Sequence, residues 1–434
     1  MKLPQAIIPF VLALAPLWQA LAQTPGEAPH PPKGRNLEIH GEARLRVESK
    51  SDYDFSGGSQ SYWLSRFRVN GRWELWDGVK FFAEGQDARV HGEDGNGSPS
   101  VDPDKVPNSF ENPFDLRQAY FDYSPGSFGL RIGRQKIRGL YDRLFGTKEW
   151  RNTSLVFDGV LLQVPSEKRG YHFFSVRSVP TLPGEFDDWR KTGNRLSDSD
   201  LSGIVVEDPV LLPGAGLKYF WMFRHNNLAD DAVHTFGGVF NRAHGSFTTT
   251  LEAALQTGEY GEDDHQAWML AMNVSKELGG IGDAAFGYAY ASGDGDPSDG
   301  KHGTFDNTLP LNHKYYGQMD FFALQNHHSI EASLSREVVG GTNFRVAYNA
   351  FWLDEPDTDS WYNSGMKALR TSSIAGTDPF VGSEVDLSLR FQTPWDITLH
   401  AGASRFFAGD YVSQTGNGAD EDPTFFYLSL ATGF

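Results

Sequence analysis

The chain has 434 residues, no cysteine, 47 glycines, 14% aromatic residues and a formal charge of −18. The lack of cysteine excludes disulfides and thiolate metal sites, and the acidity argues against a nucleic-acid partner. Beyond the N-terminus no apolar run approaches the ~20 residues of a membrane helix, so the length is open to two or three soluble domains or one large barrel.

Lys2 precedes an apolar run from Ala6 to Trp18, broken by Pro9 and Pro16, and then Ala20-Leu21-Ala22. A charged n-region, a short h-region and an A-x-A site predict a signal peptide over residues 1–22. Residues 23–36 are proline-rich and polar, and are expected to form a flexible periplasmic lead-in.

From Leu37 the residues alternate. Leu37, Ile39, Gly41, Ala43, Leu45 and Val47 share one face, and Glu38, His40, Glu42, Arg44, Arg46 and Glu48 the other. Next, Trp63, Phe67, Val69, Trp73 and Leu75 stand against Arg66, Arg68, Asn70, Arg72 and Glu74. Period-two patterns of this length are strands. A polar face that keeps its arginines for ten residues suits an aqueous lumen, and the apolar face suits lipid. Trp76-Asp77-Gly78 is a tight turn. The pattern predicts strands near 37–48, 62–75, 79–90, 114–123, 128–135, 155–164, 171–179, 201–208, 217–224, 234–242, 246–257, 266–277, 283–291, 327–338, 342–353, 382–392, 397–407 and 424–434, eighteen in all.

Short and long connections alternate strictly along this list, with both termini on the short-turn side, as in bacterial outer-membrane barrels. The expected fold is therefore all-β: a single transmembrane antiparallel up-and-down barrel over residues 37–434, with short periplasmic turns and long extracellular loops. Closure pairs every backbone N–H and C=O in the wall, which hydrocarbon demands. Trp73, Trp76, Tyr123, Trp221, Trp352 and Trp395, near strand ends, suit the interfacial girdles. The last strand places Leu428, Leu430 and Phe434 on its lipid face, and these residues are read as a signal to the barrel assembly machinery.

Much of the acidity falls in the long loops, whereas the inner strand faces are basic. The candidate pore-lining residues are Arg44, Arg46, Arg66, Arg68, Arg72, Lys80, Arg89, Arg131, Arg345 and Arg390, with Lys218 and Arg224 on the same face. Such a lining attracts anions, and the arginine fork suits carboxylates. Glu42, Glu74, Glu84, Glu384 and Asp386 share this face; they either pair with the arginines and brace the lumen, or tune release along an anion path. No G-x-S-x-G or HExxH occurs, and no enzyme, metal site or cofactor is expected. Asp294 to Gly300 lacks the distal glutamate of a calcium loop, leaving only adventitious divalent ions at acidic loops.

Leu116-Arg117-Gln118-Ala119-Tyr120, Arg131-Ile132-Gly133-Arg134-Gln135, Trp150-Arg151-Asn152 and Phe157-Asp158-Gly159-Val160 resemble the alginate export family of outer-membrane porins. So do Gly382-Ser383-Glu384-Val385-Asp386, Gly402-Ala403-Ser404-Arg405-Phe406 and Gly409. The resemblance implies an eighteen-stranded barrel with a basic pore able to pass a polyuronate. The short connections leave no room for a long periplasmic plug, so loop 91–113 or 136–154 is the candidate constriction. Lys136, Arg138 and Arg143 would then reach the pore. The expected role is an outer-membrane channel for anionic saccharides in a Gram-negative bacterium, exporting an alginate-like polymer or passing sugar acids. A general porin is the alternative. Expected partners are outer-membrane lipid and lipopolysaccharide, the assembly machinery, an anionic oligo- or polysaccharide and periplasmic secretion partners.

Overall fold

The alternation of apolar and polar side chains is realised as a closed antiparallel sheet. The computed structural model describes residues 37–92, 110–166, 168–179, 199–226, 229–416 and 419–434. The predicted signal peptide and lead-in, and the middle of loops 91–113 and 180–200, lie outside the described residues.

The strands in chain order are β1 (Leu37–Ser51), β2 (Ser59–Trp76), β3 (Val79–His91), β4 (Asn112–Tyr123), β5 (Gly129–Gln135), β6 (Phe157–Val164), β7 (Gly170–Ser178), β8 (Ser199–Glu207), β9 (Gly216–Asn226), β10 (Asp231–His244) and β11 (Phe247–Tyr260). They continue with β12 (Asp263–Glu277), β13 (Asp283–Ala291), β14 (Lys301–His302), β15 (His327–Val338), β16 (Thr342–Trp352), β17 (Ser360–Tyr362), β18 (Ala368–Thr371), β19 (Phe380–Gln392), β20 (Ile397–Ala408) and β21 (Thr424–Gly433). The main sheet has nineteen strands, of which β14 is a two-residue parallel addition to β12. The other eighteen form the wall, each antiparallel to its neighbour, and β21 closes it onto β1 with Leu430 opposite Leu45. Strand number and alternation of loop lengths agree with the sequence reading, including the weak strand at β8. β17 and β18 form a separate hairpin in a long loop, followed by a short helix α1 (Asp410–Thr415).

The outward face is apolar. Leu45, Phe67, Ile132, Phe236, Leu255, Phe286 and Leu428 are exposed to what would be lipid. Trp73, Trp76, Tyr123 and Trp395 are exposed at the short-turn rim, where amphipathic rings meet headgroups. Phe434 lies outside β21 yet continues its pairing. Gly41 N donates to Phe434 O at 2.7 Å, and the Phe434 ring stacks on Phe67 at 5.9 Å. A side chain at position 41 would meet that ring and displace it.

The lumen departs from the sequence reading on one side. Over β6 to β13 the inner face at mid-height carries Phe157, Leu161, Phe174, Val205, Phe220 and Met269, all buried. Water does not wet them, because two long connections fold into the barrel and cover them.

Candidate permeation constriction

The first infolded segment is the connection from β5 to β6. Its leading half is apolar: Ile137, Leu140, Tyr141, Leu144 and Phe145 join the buried cluster on the inner wall. The Tyr141 ring lies 4.6 Å from Phe220, and Phe145 stacks on Phe157 at 4.6 Å. Burying five such side chains fixes this half against the β6–β12 side at ~1.5–3 kcal/mol for each large one fully buried.

The tip, Thr147 to Ser154, meets the opposite wall, where β1, β2 and β4 present arginines. Arg44 donates to Glu149 O and Arg151 O at 3.1 Å each, and Arg46 to Trp150 O at 2.7 Å. Arg66 donates to the same Glu149 and Arg151 carbonyls at 3.2 Å. Arg68 bonds Glu149 Oε2 at 2.9 Å and Ser154 Oγ at 3.0 Å, and Arg117 reaches the same Oγ at 3.0 Å. From the loop's own start, Lys136 and Arg138 approach Glu149 Oε1 at 3.2 and 3.1 Å. Burial pushes the Glu149 carboxyl up, but Arg68, Lys136 and Arg66 outweigh it and hold it well below the usual carboxylate range. Asn152 donates to Ser65 O, Arg89 O and Phe110 O, tying the tip to the upper wall. Lys148 and Ser154 have left-handed backbone (φ 51° and 58°). Such strain costs of order 1–3 kcal/mol per residue and persists only where surroundings enforce it, as this clamp does.

The second segment runs from Gly303 to Asn326, between β14 and β15, and binds the first. Gly146 N donates to Leu309 O and Leu309 N to Leu144 O, both at 2.9 Å. Lys314 pairs with Asp142 at 2.8 Å, and Arg143 bonds Tyr316 Oη at 2.7 Å and Glu252 at 2.9 Å. Trp150 closes the junction: it stacks on His313 at 4.2 Å, meets Tyr427 edge-on at 4.9 Å, and carries the Arg46 guanidinium at 4.1 Å. The two segments therefore form one crossbar, apolar at one end and ionic at the other.

The residues predicted from sequence divide by position. Arg44, Arg46, Arg66, Arg68, Lys136 and Arg138 gather around the tip. Arg72, Lys80 and Arg131 lie on the inner face near the short-turn mouth, where Arg131 pairs with Asp122 at 2.7 Å. Arg390 shares that inner parity further round the wall. Arg345 faces inward and pairs with Glu331 at 2.7 Å. Glu84 is buried against Lys136 at 3.1 Å. Glu384 is also buried, but beneath the second segment, whose Gln318 and Met319 N–H groups donate to it at 2.6 and 3.0 Å. Asp386 accepts from Ser404 Oγ at 2.5 Å and Asn349 Nδ2 at 3.0 Å, so both anchor structure and face no open path. Lys218 and Arg224 are inside too, bonded to Gly139 O and to Asp306.

Arg89 is a correction. It sits opposite Ser65 on the outer face and pairs with Asp87 at 2.7 Å, because β3 keeps strict alternation from Lys80 through Glu84 to Ala88 on the inside. Arg117 is the converse. Strict alternation would put it outside, but between Leu116 and Gln118 the β4 strand holds an extra residue against β3. This bulge turns Arg117 inward, fully buried. The tip residues Lys148, Glu149, Trp150 and Arg151 and the second segment were also missed as site residues. The loop's lysine and arginines were the available signal for the first; nothing in the pattern of residues 303–326 distinguishes it from an external loop.

A family model described as Alginate export matches residues 35–425. The chain belongs to the alginate export family. The solved structures similar to this family member include three Pseudomonas aeruginosa proteins. OccK8 (OprE) is 12% identical with a TM-score of 0.63, covering 92% of this chain and 98% of that one. OpdK, solved with vanillate, is 11% identical with a TM-score of 0.61, covering 92% and 99%. OccK2 (OpdF), solved in complex with glucuronate, is 12% identical with a TM-score of 0.60, covering 92% and 98%. At these identities the likeness is one of fold, that of an outer-membrane porin barrel. No curated protein matches the chain.

Proposed function

We propose that this alginate export family member is a passive outer-membrane channel for anionic saccharides, passing sugar acids around an ionic crossbar. The observation that carries the reading is the charge at the loop tip. Arg44, Arg46, Arg66, Arg68, Arg117, Lys136, Arg138 and Arg151 stand against Glu42, Glu48, Glu84, Glu149 and Asp320, so cations outnumber carboxylates where the lumen is most obstructed. A narrow site with a net positive charge in low dielectric concentrates anions. The solved channels with glucuronate and vanillate are carboxylate-binding precedents on the same fold.

The crossbar favours small acids over a polymer. Its halves hydrogen-bond to each other and to opposite walls, so a polyuronate chain would have to displace Trp150 and break the Arg44–Arg68 clamp. Planar-bilayer recording under a potassium chloride gradient tests the reading. The expected reversal potential has the sign of anion preference, and a cation-selective channel would refute it.

A further inference from the structure

The outward face is broken by a row of charge on β5 to β8. Phe157, Val176 and Leu201 belong to the buried inner cluster, so their chain neighbours Asp158, Arg177 and Asp200 point away from the lumen. So does Arg134, two positions after the exposed Ile132. In the sheet Arg134 is opposite Asp158, Asp158 opposite Arg177, and Arg177 opposite Asp200. The four therefore stand side by side on adjacent strands with alternating sign. Arg134 holds Asp158 with both arms of its fork, Nε to Oδ1 at 2.9 Å and Nη2 to Oδ2 at 3.1 Å. Arg177 holds Asp200 in the same way, with both bonds at 2.7 Å. The next outward pair toward the periplasm, Ser175 and Ser202, is hydrogen-bonded at 3.0 Å.

Height decides what this row meets. Arg134 and Asp158 stand five and six positions from the short-turn strand ends at Gly129 and Val164, and Arg177 and Asp200 seven from Gly170 and Glu207. At a rise of ~3.4 Å per residue and a tilt of ~40°, the row lies about 13–18 Å above the short-turn rim, inside an apolar band ~25 Å tall. The wall is also low here. β5 to β8 have seven, eight, nine and nine residues, against about 9–11 for a strand that crosses hydrocarbon.

Lipid tails offer such a row neither counter-charge nor hydrogen bond, and charge on the lipid face is destabilising in proportion to its depth. An anionic headgroup is a poor match, because the row is neutral and Asp158 and Asp200 would repel a phosphate. The row does fit itself. A two-fold axis along the membrane normal, between β6 and β7, reverses the order Arg-Asp-Arg-Asp on the second copy. Asp158 of each copy then faces Arg177 of the other, and the outer pair, Arg134 and Asp200, also meets opposite sign, as a self-complementary contact requires. Val160, Phe173 and Ile204 supply apolar surface on the same strands.

We infer that the outward face of β5 to β8 is a docking surface for a second copy of this chain, joined two-fold in the plane of the membrane through the Arg134, Asp158, Arg177 and Asp200 row. The contact stands apart from the channel reading, because it uses the lipid side of the wall and none of the lumen.

The chain has no cysteine, so a single one reports its own surroundings. In outer-membrane vesicles treated with a short bismaleimide, Ser175→Cys, beside the axis, should give a cross-linked dimer. Leu387→Cys, exposed on β19 across the barrel, should stay monomeric. In Asp158→Asn with Arg177→Gln, which keeps the shape and drops the central charges, the dimer should dissociate about tenfold more readily in analytical ultracentrifugation, the scale of one charge-assisted hydrogen bond. Exchanging all four charges (Arg134→Asp, Asp158→Arg, Arg177→Asp and Asp200→Arg) preserves the alternation within the chain. That variant should pair with itself and not with the unmodified chain. Heat-modifiable gel mobility confirms that each variant is folded, and the Ser175→Cys arm needs no change of charge. No Ser175→Cys dimer, an unaltered dimer in the neutralised variant, or free mixing of the exchanged and unmodified chains would overturn the surface. Lipopolysaccharide that co-purifies with a monomeric chain and is lost on neutralisation would assign the row to a lipid headgroup and overturn it as well.

Discussion

Replacing Glu149 with glutamine keeps the shape of the tip and removes the charge on which four cations converge. Arg68 and Lys136 are nearly out of solvent, with side chains 3% and 9% exposed, whereas Arg138 is 64% exposed. A hydrogen bond to a charged group contributes ~1.5–3 kcal/mol, and an exposed pair ~0–1 kcal/mol. The bonds share one carboxylate and do not add, and Glu149 is itself 30% exposed. The docked tip should therefore lose ~2–4 kcal/mol relative to the undocked one, a factor of ~30 to ~1,000 in their ratio. The backbone clamp from Arg44, Arg46 and Arg66 remains, so the tip loosens without leaving the lumen. Single-channel recording should show larger open-channel noise and higher mean conductance in Glu149→Gln, with anion preference raised because a carboxylate has gone from the constriction. Noise, conductance and reversal potential all equal to those of the unmodified channel would refute the ionic clamp.

Acid should act through the same group. Its pKa in the folded protein lies below the unfolded value of 4.5, so its contribution to docking is complete above that value and fades as pH falls through the lowered one. Conductance should hold steady from pH 7 to about pH 5 and rise only in stronger acid; a step near pH 6 would contradict this. At the other end of the crossbar, Leu144→Ala removes a fully buried side chain and should cost ~2–5 kcal/mol of docking, read as faster tryptic cleavage within residues 136–151. Trp150→Ala opens the junction with His313 and Tyr427, and conductance should rise by severalfold while heat-modifiable mobility is retained. Arg89→Gln should leave the reversal potential unchanged, because Arg89 is outside the wall, whereas Arg44→Gln should shift it toward cations.

The eighteen strands, their faces and the outward aromatic residues were legible in the sequence because a strand's pleat imposes period two, and lipid permits only one kind of side chain on its side. Placing Arg89 inside goes against that rule, since it is an odd number of positions from Lys80 and Glu84; the rule itself hid only Arg117, which depends on a bulge set by pairing between β3 and β4. The sequence offered 91–113 or 136–154 as the loop that turns inward, because the short connections have no room for a plug, and 136–154 is one of the two infolded segments. What tertiary structure alone decided is what each inner residue meets. Arg68 and Glu149 are 81 positions apart, and Glu384 receives its N–H donors from 65 and 66 positions away. Periodicity says which way a side chain points, but a lumen is filled by whichever distant segment packs there, and that is settled only when apolar loop meets apolar wall and glutamate meets arginine in three dimensions.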